Sequence, residues 1–214
     1  FDGKSDPFAL ALGRAFDIAS AEYSFFVAIG EGDPAEKALD VFESEFIRAY
    51  GSRTEAKKAR ELGAELLKAY RRAGLLKYMR PRTRTIVIND RVAVFAQPDL
   101  AGGGYFIELK TFDIDPNNIP LYVKKQLEVF QLAFPGYRPV IHAFEWRSGT
   151  ITHRRIEPDI KPDERLLTEL YEFGVNYAQV KLDASCFIDE ARSYVRNTFE
   201  IFQHGCGGLI FYAH

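Results

Sequence analysis

Cysteine is almost absent, with only Cys186 and Cys206 in 214 residues, and the two lack the spacing of a metal clasp. That scarcity excludes a disulfide-stapled scaffold and a four-cysteine iron-sulfur cluster, and it points to the reducing cytoplasm. Long apolar runs are missing too, so no membrane partner is expected. No leader of basic, apolar and small residues opens the sequence at Phe1, and the missing methionine there reads as trimming or omission of a few residues. No linker rich in Gly, Pro or Ser, no repeat and no low-complexity tract divides the chain, so one domain is expected over 1–214. A Walker A sequence is absent, which excludes a motor, and neither Gly-x-Ser-x-Gly nor a cysteine-nucleophile setting occurs. The four histidines, His142, His153, His204 and His214, lack the helix-face spacing of metal ligands and read as structural or exposed. What is plentiful is core material: 47% hydrophobic and 14% aromatic residues, including 18 Phe and 11 Tyr. That content builds a sizeable core without a staple.

A net charge of −2 argues at first against a polyanionic partner. Its distribution argues otherwise. Between Arg53 and Arg84 there are eleven Lys or Arg against three Glu, a local balance of +8 that leaves −10 elsewhere. The loop Lys77-Tyr78-Met79-Arg80-Pro81-Arg82-Thr83-Arg84 combines a ring on which bases can stack with Arg80, Arg82 and Arg84 to hold phosphates.

The most informative segment runs from Gln97 to Lys110. Arg91-Val92-Ala93-Val94-Phe95-Ala96 is rich in strand formers, Ala101-Gly102-Gly103-Gly104 reads as a turn, and Tyr105-Phe106-Ile107-Glu108-Leu109-Lys110-Thr111 alternates as a strand. Residues two apart share a face, so Glu108 and Lys110 point one way while Ile107 and Leu109 enter the core. Folding back at the glycines brings Asp99 beside them. Two carboxylates at a sheet edge form the hard oxygen site that Mg²⁺ prefers, and a neighbouring lysine can position or deprotonate an attacking water.

Pro98-Asp99, eight residues, then Glu108-x-Lys110 resembles the signature of the PD-(D/E)xK nuclease superfamily. A helix over Leu121 to Phe134 follows, opened near Asn118 and Pro120, stopped by Pro135-Gly136, with Val123, Leu127, Phe130 and Phe134 as its buried stripe. Gln126-x-x-x-Phe130 on this helix is similar to the Gln-x-x-x-Tyr of RecB-type domains, with the tyrosine hydroxyl lost. Upstream, Gly13-Arg14-Ala15-Phe16-Asp17 resembles the Gly-x-x-x-His with which those domains begin, Asp17 standing at the histidine position. Three partial matches thus fall in the order of one family over residues 8 to about 134.

The resemblance implies a restriction-endonuclease-like α/β core, with a mixed central sheet flanked by helices, and the sequence suggests an added helical lobe. Helices are expected over Pro7 to Glu22, Ala35 to Tyr50, Thr54 to Ala73, Asp163 to Val180 and Cys186 to Gln203. Strands are expected over Arg84 to Asn89, Arg91 to Gln97, Arg138 to Trp146 and Thr150 to Glu157. The strand reached through the glutamine helix is expected to return by a right-handed crossover.

Functionally, the resemblance implies a metal-dependent deoxyribonuclease acting on single-stranded DNA or duplex ends in repair, recombination or defence, beside a helicase or another such partner. Asp99, Glu108 and the Leu109 carbonyl would bind Mg²⁺ or Mn²⁺, with Asp17, or else Glu22, completing the set. Lys110 would hold the nucleophilic water and Gln126 would orient a phosphate or that water. Lys124 joins Tyr78 and the loop arginines as a candidate DNA contact. A catalytically silent nucleic-acid-binding subunit is the alternative, and exo or endo cleavage stays open.

Overall fold

The computed structural model describes residues 6–89, 92–147, 149–163, 165–172 and the backbone of 209–213. Three helices come first, each with a readable local cause. Helix α1 (Pro7–Ala28) has Pro7 in its first turn, where a missing N–H is harmless, and Asp6 accepts from the Phe8 N–H at 3.0 Å. It runs past the expected end at Glu22, because Tyr23 and Ser24 continue its buried side. Helix α2 (Pro34–Tyr50) is capped by Asp33 on the Glu36 N–H and closed by Gly51 at φ 77°. Helix α3 (Ala56–Arg72) packs on α2 through Gly63, where an added Cβ would stand 2.6 Å from the Phe42 ring. A 3₁₀ turn, Leu75–Lys77, leads to the strands.

Those strands form two sheets rather than one. β1 (Arg84–Val87), β2 (Val92–Ala96) and β7 (Leu209–Ala213) make an antiparallel sheet in the order β1-β2-β7. The second sheet, β3-β4-β5-β6, is mixed. In it β3 (Leu100–Gly102) is antiparallel to β4 (Tyr105–Lys110), β4 is parallel to β5 (Arg138–Arg147), and β5 is antiparallel to β6 (Thr150–Ile156). This corrects the expectation of one central sheet with β2 folding onto β4. Gln97-Pro98 interrupts the run after Ala96, and the chain re-enters as β3, whose Gly102 faces Tyr105 across a two-residue turn. Gly103 and Gly104, at φ 58° and 80°, supply the left-handed pair that such a turn requires.

Helix α4 (Leu121–Ala133) connects the parallel pair β4 and β5, starting after Pro120 with no side-chain cap. Its Val123, Leu127 and Phe130 join Val94, Ala96, Phe106 and Ile141 in one apolar cluster, which α4 shares with both sheets. On the opposite face of the mixed sheet, Ile107, Leu109, Val140 and Phe144 meet Phe16, Phe42, Phe46, Leu66 and Tyr70 of α1 to α3. The mixed sheet is therefore covered on both sides. Of the expected C-terminal helices, only 166–172 is described; it packs Leu166 and Leu170 on the α4 cluster and pairs Glu169 with Lys125 at 2.8 Å. The remainder of that segment, with Cys186 and Cys206, lies outside the described residues. No helix among the described residues is long and apolar enough to cross a membrane.

Candidate active site

β3 begins only at Leu100, paired opposite Ile107, while β4 continues past that pair to Lys110. Alternate residues of β4 direct their backbone groups to the β3 side, and Leu109 follows Ile107 and Tyr105 there beyond the end of the ladder. Asp99 takes the vacant place: its Oδ2 accepts from the Leu109 N–H at 2.7 Å. In a strand the N–H and C=O of one residue leave on the same edge, so the Leu109 carbonyl emerges beside Asp99.

Glu108 and Lys110 share the other face of β4, beneath α4. Lys110 Nζ donates to Glu108 Oε2 at 2.9 Å and to Gln126 Oε1 at 3.1 Å. Asp99, Glu108, Lys110 and Gln126 retain only 4%, 0%, 4% and 3% of their exposure, so β4 has no solvated side. Glu108 Oε1 is buried with no hydrogen-bond partner among the described residues.

Burial is the first cause that raises the Asp99 carboxyl well above its ordinary range, followed by the charges of Asp17 and Glu108, against the opposing pull of Lys110. A hydrogen bond with Asp17 adds to the rise. Burial also raises Glu108, where the charge and hydrogen bond of Lys110 work the other way.

Asp17 therefore lies against Asp99, and its ion-pair partner is Arg80. Arg80 Nη2 donates to Asp17 Oδ1 and, at 3.3 Å, to the Asp17 carbonyl. Arg14, three residues before Asp17 on α1, is exposed. Glu22 acts on Arg80 as well: although burial works against the guanidinium, the carboxylates of Asp17, Asp99 and Glu22 together hold it more firmly charged than usual. Tyr70 was not legible as a site neighbour. Its hydroxyl bonds Ser24 Oγ at 2.7 Å and feels the charges of Asp99 and Asp17, and burial pushes it well above its ordinary pKa. Its only signal in sequence is a place beside the apolar stripe of α3.

The loop cations are divided. Arg84 Nη1 donates to the Ala133 carbonyl at 3.0 Å and stacks over Phe134, which anchors β1 to α4. Arg82 is exposed, Tyr78 and Lys124 are half-buried, and Gln97 fixes the loop by donating to the Pro81 carbonyl at 2.8 Å. The basic stretch is also partly neutralised at its start, since Arg60 is held by Glu36, Asp40 and Glu43 of α2. His142 and His153 form a stacked pair, Nδ1 to Nε2 at 2.8 Å, and burial with the neighbouring His153 and Arg155 charges lowers His142 to about 3.

The donor set suits a hard divalent cation in chemistry: an orphaned carboxylate oxygen, a second carboxylate and an edge carbonyl. A closed cage is not formed, for among the described residues no three His, Cys, Asp or Glu side chains meet as a ligand group. The reason is visible in the contacts, since Lys110 engages Glu108 and Arg80 engages Asp17. Comparison with protein-family models, curated proteins and solved structures gave no match for this chain.

Proposed function

We propose that this chain is a metal-dependent deoxyribonuclease with a restriction-endonuclease-like site, cleaving single-stranded DNA or duplex ends in the cytoplasm, in repair, recombination or defence, with or without a helicase partner. The observation that carries this reading is the meeting of Asp99, Glu108, Lys110 and Gln126 in one buried cluster with a carboxylate oxygen left unpartnered. Asp99, Glu108 and the Leu109 carbonyl would hold Mg²⁺ or Mn²⁺, and Asp17 would join them once released by Arg80. The ion would neutralise charge on the phosphate and acidify a bound water. Lys110, steadied between Glu108 and Gln126, is placed beside the carboxylates to fix the attacking water. Gln126, whose Oε1 accepts from Lys110, would orient a phosphate oxygen or that water. Arg80 bridges the two states of the site, because a phosphate offers its guanidinium the same two-oxygen partner that Asp17 does.

A second reading, a silent nucleic-acid-binding subunit with this fold, draws support from the closed ion pairs and from Phe130, whose ring packs edge-on against Phe106 at 5.9 Å. End-labelled DNA with titrated Mg²⁺ or Mn²⁺ separates the two. The nuclease reading expects cleavage leaving 5′-phosphates, abolished by chelation and by Glu108→Gln. Binding without cleavage at any metal concentration would favour the silent subunit, and neither binding nor cleavage would refute both.

A further inference from the structure

We infer that a row of cations and rings crossing the mixed sheet holds the backbone of a single-stranded nucleic acid leading to the buried cluster. The row is built from elements far apart in sequence. Lys77 Nζ lies 5.2 Å from the centroid of Tyr78, and Tyr78 rests against Gly102, where an added Cβ would come within 3.1 Å of its ring. Gly102 is paired with Tyr105 on β4. Over Tyr105 stand two guanidinium groups, Arg138 of β5 at 4.5 Å and Arg155 of β6 at 5.6 Å, and Arg138 also donates to the Tyr105 hydroxyl.

Tyr78 and Tyr105 both pack on the cluster that α1 to α3 share with the sheet, so the rings lie on one side of it. Met79, bridged to Ala101, adds the Lys77 segment as one more line beside β3. From that line through β3, β4 and β5 to β6 are four strand spacings, roughly 20 Å. That is a reach of a few nucleotides, within the footprint of small single-strand modules.

Charge identifies the occupant. Lys77, Arg138 and Arg155 are exposed, and among the described residues the first two have no carboxylate partner, while Arg155 has Glu157. Two guanidinium groups held over one ring are already ordered, so a phosphate meeting them costs little further side-chain entropy. A protein partner would need an acidic repeat at strand spacing, whereas a phosphodiester chain carries one charge per unit without further requirement. The row also leads to the site: three residues after Lys77, Arg80 holds Asp17 against Asp99. The direction of the strand rests on the nuclease reading, but binding to the row does not.

The test uses the full chain in EDTA with a labelled single strand of about fifteen thymidines, followed by fluorescence anisotropy over a range of salt concentrations. The triple variant Lys77→Gln, Arg138→Gln, Arg155→Gln is expected to bind at least tenfold more weakly, with a log-log salt slope smaller by about 2, as for three lost phosphate contacts. Arg138→Lys with Arg155→Lys, which keeps the charge, is expected to restore the slope, and an unchanged melting temperature checks the fold of each variant. Equal binding and slope in wild type and triple variant would overturn the row while leaving the nuclease reading to its own cleavage assay. A loss of the same size on a duplex of equal length would overturn its single-strand character. Failure of the wild type to bind any single strand would overturn the proposal, even if duplex ends are cleaved.

Discussion

Replacing Lys110 by Met removes the one cation that, among the described residues, pairs with Glu108, a carboxylate with no exposure and one oxygen without a partner among them. Breaking a buried pair from one side costs about 3–5 kcal/mol when the survivor stays charged. Glu108 has an escape, because burial already raises its pKa and loss of Lys110 removes the two influences that oppose the rise. The survivor will therefore take up a proton, at about 1.4 kcal/mol for each unit by which the ambient pH exceeds its unfolded-state pKa. The sign follows from proton counts: with the folded state holding more protons than the unfolded one, stability falls as pH rises towards the folded pKa. Urea unfolding of the metal-free protein should show Lys110→Met close to wild type near pH 5 and weaker by about 3 kcal/mol near pH 8. In a domain of this size that corresponds to a fall of about 6–12 °C in melting temperature. Adding Glu108→Gln should remove the pH dependence and recover most of the loss. A cost that is equal at both pH values, or indifferent to Glu108→Gln, would refute the coupling. A cleavage assay of Lys110→Ala, as a test of the proposed nuclease, is thus informative only beside a stability measurement at the same pH.

Asp99→Asn keeps an oxygen for the Leu109 N–H and removes a like charge from beside Asp17 and Glu108; calorimetry should find the metal-free protein melting higher, increasingly so above neutral pH, with Mg²⁺ binding weakened at least tenfold. Equal melting from pH 5 to 9 would count against that crowding. His142, lowered to about 3 by burial first and then by His153 and Arg155, is neutral when folded but charges in the unfolded chain below about 6.5, so stability should fall by a few kcal/mol between those values. Replacement by Phe should flatten that limb of an acid titration, and an unaltered limb would assign it to other groups. Gly63→Ala gains helix propensity of about 1 kcal/mol yet drives a methyl into the Phe42 ring, so a net loss of up to about 2 kcal/mol is expected, recovered by Phe42→Leu; stabilisation by Gly63→Ala alone would show that the ring yields freely.

Local signals carried much of this fold. Pro7, Asp33 and Gly51 mark helix ends through backbone chemistry confined to a few residues, and the spacing of Val123, Leu127 and Phe130 names the buried side of α4. The meeting of Asp99, Glu108 and Lys110 was equally legible, since the turn at Gly103 and Gly104 and the two-residue period of β4 suffice for it. What could not be read is set by distant partners. The alternation in β4 suggested a core face and an accessible face, yet a strand inside a sheet covered on both sides buries both, and Glu108 with Lys110 is buried as a pair. Arg80 looked like a free phosphate cation in its loop, but its partner Asp17 stands 63 residues earlier. The strand β7 was missed altogether, because Leu209 to Ala213 acquires its meaning only by pairing with β2.

That last pairing bears on how the molecule is made. The residues of the buried cluster lie between Asp99 and Gln126, inside one strand-helix-strand unit whose contacts close over short stretches of chain. The β2 to β7 ladder instead joins residues more than a hundred positions apart, with a correspondingly large loop to close. During synthesis β7 emerges after the other described strands, so until then the β1 to β2 hairpin lacks that partner and is a ribbon with an open edge, marginal by itself and available to any other extended chain. The carboxylates can thus be in position while the molecule is still prone to aggregate, and shortening the chain before Leu209 should lower the yield of intact protein more than it disturbs the buried cluster.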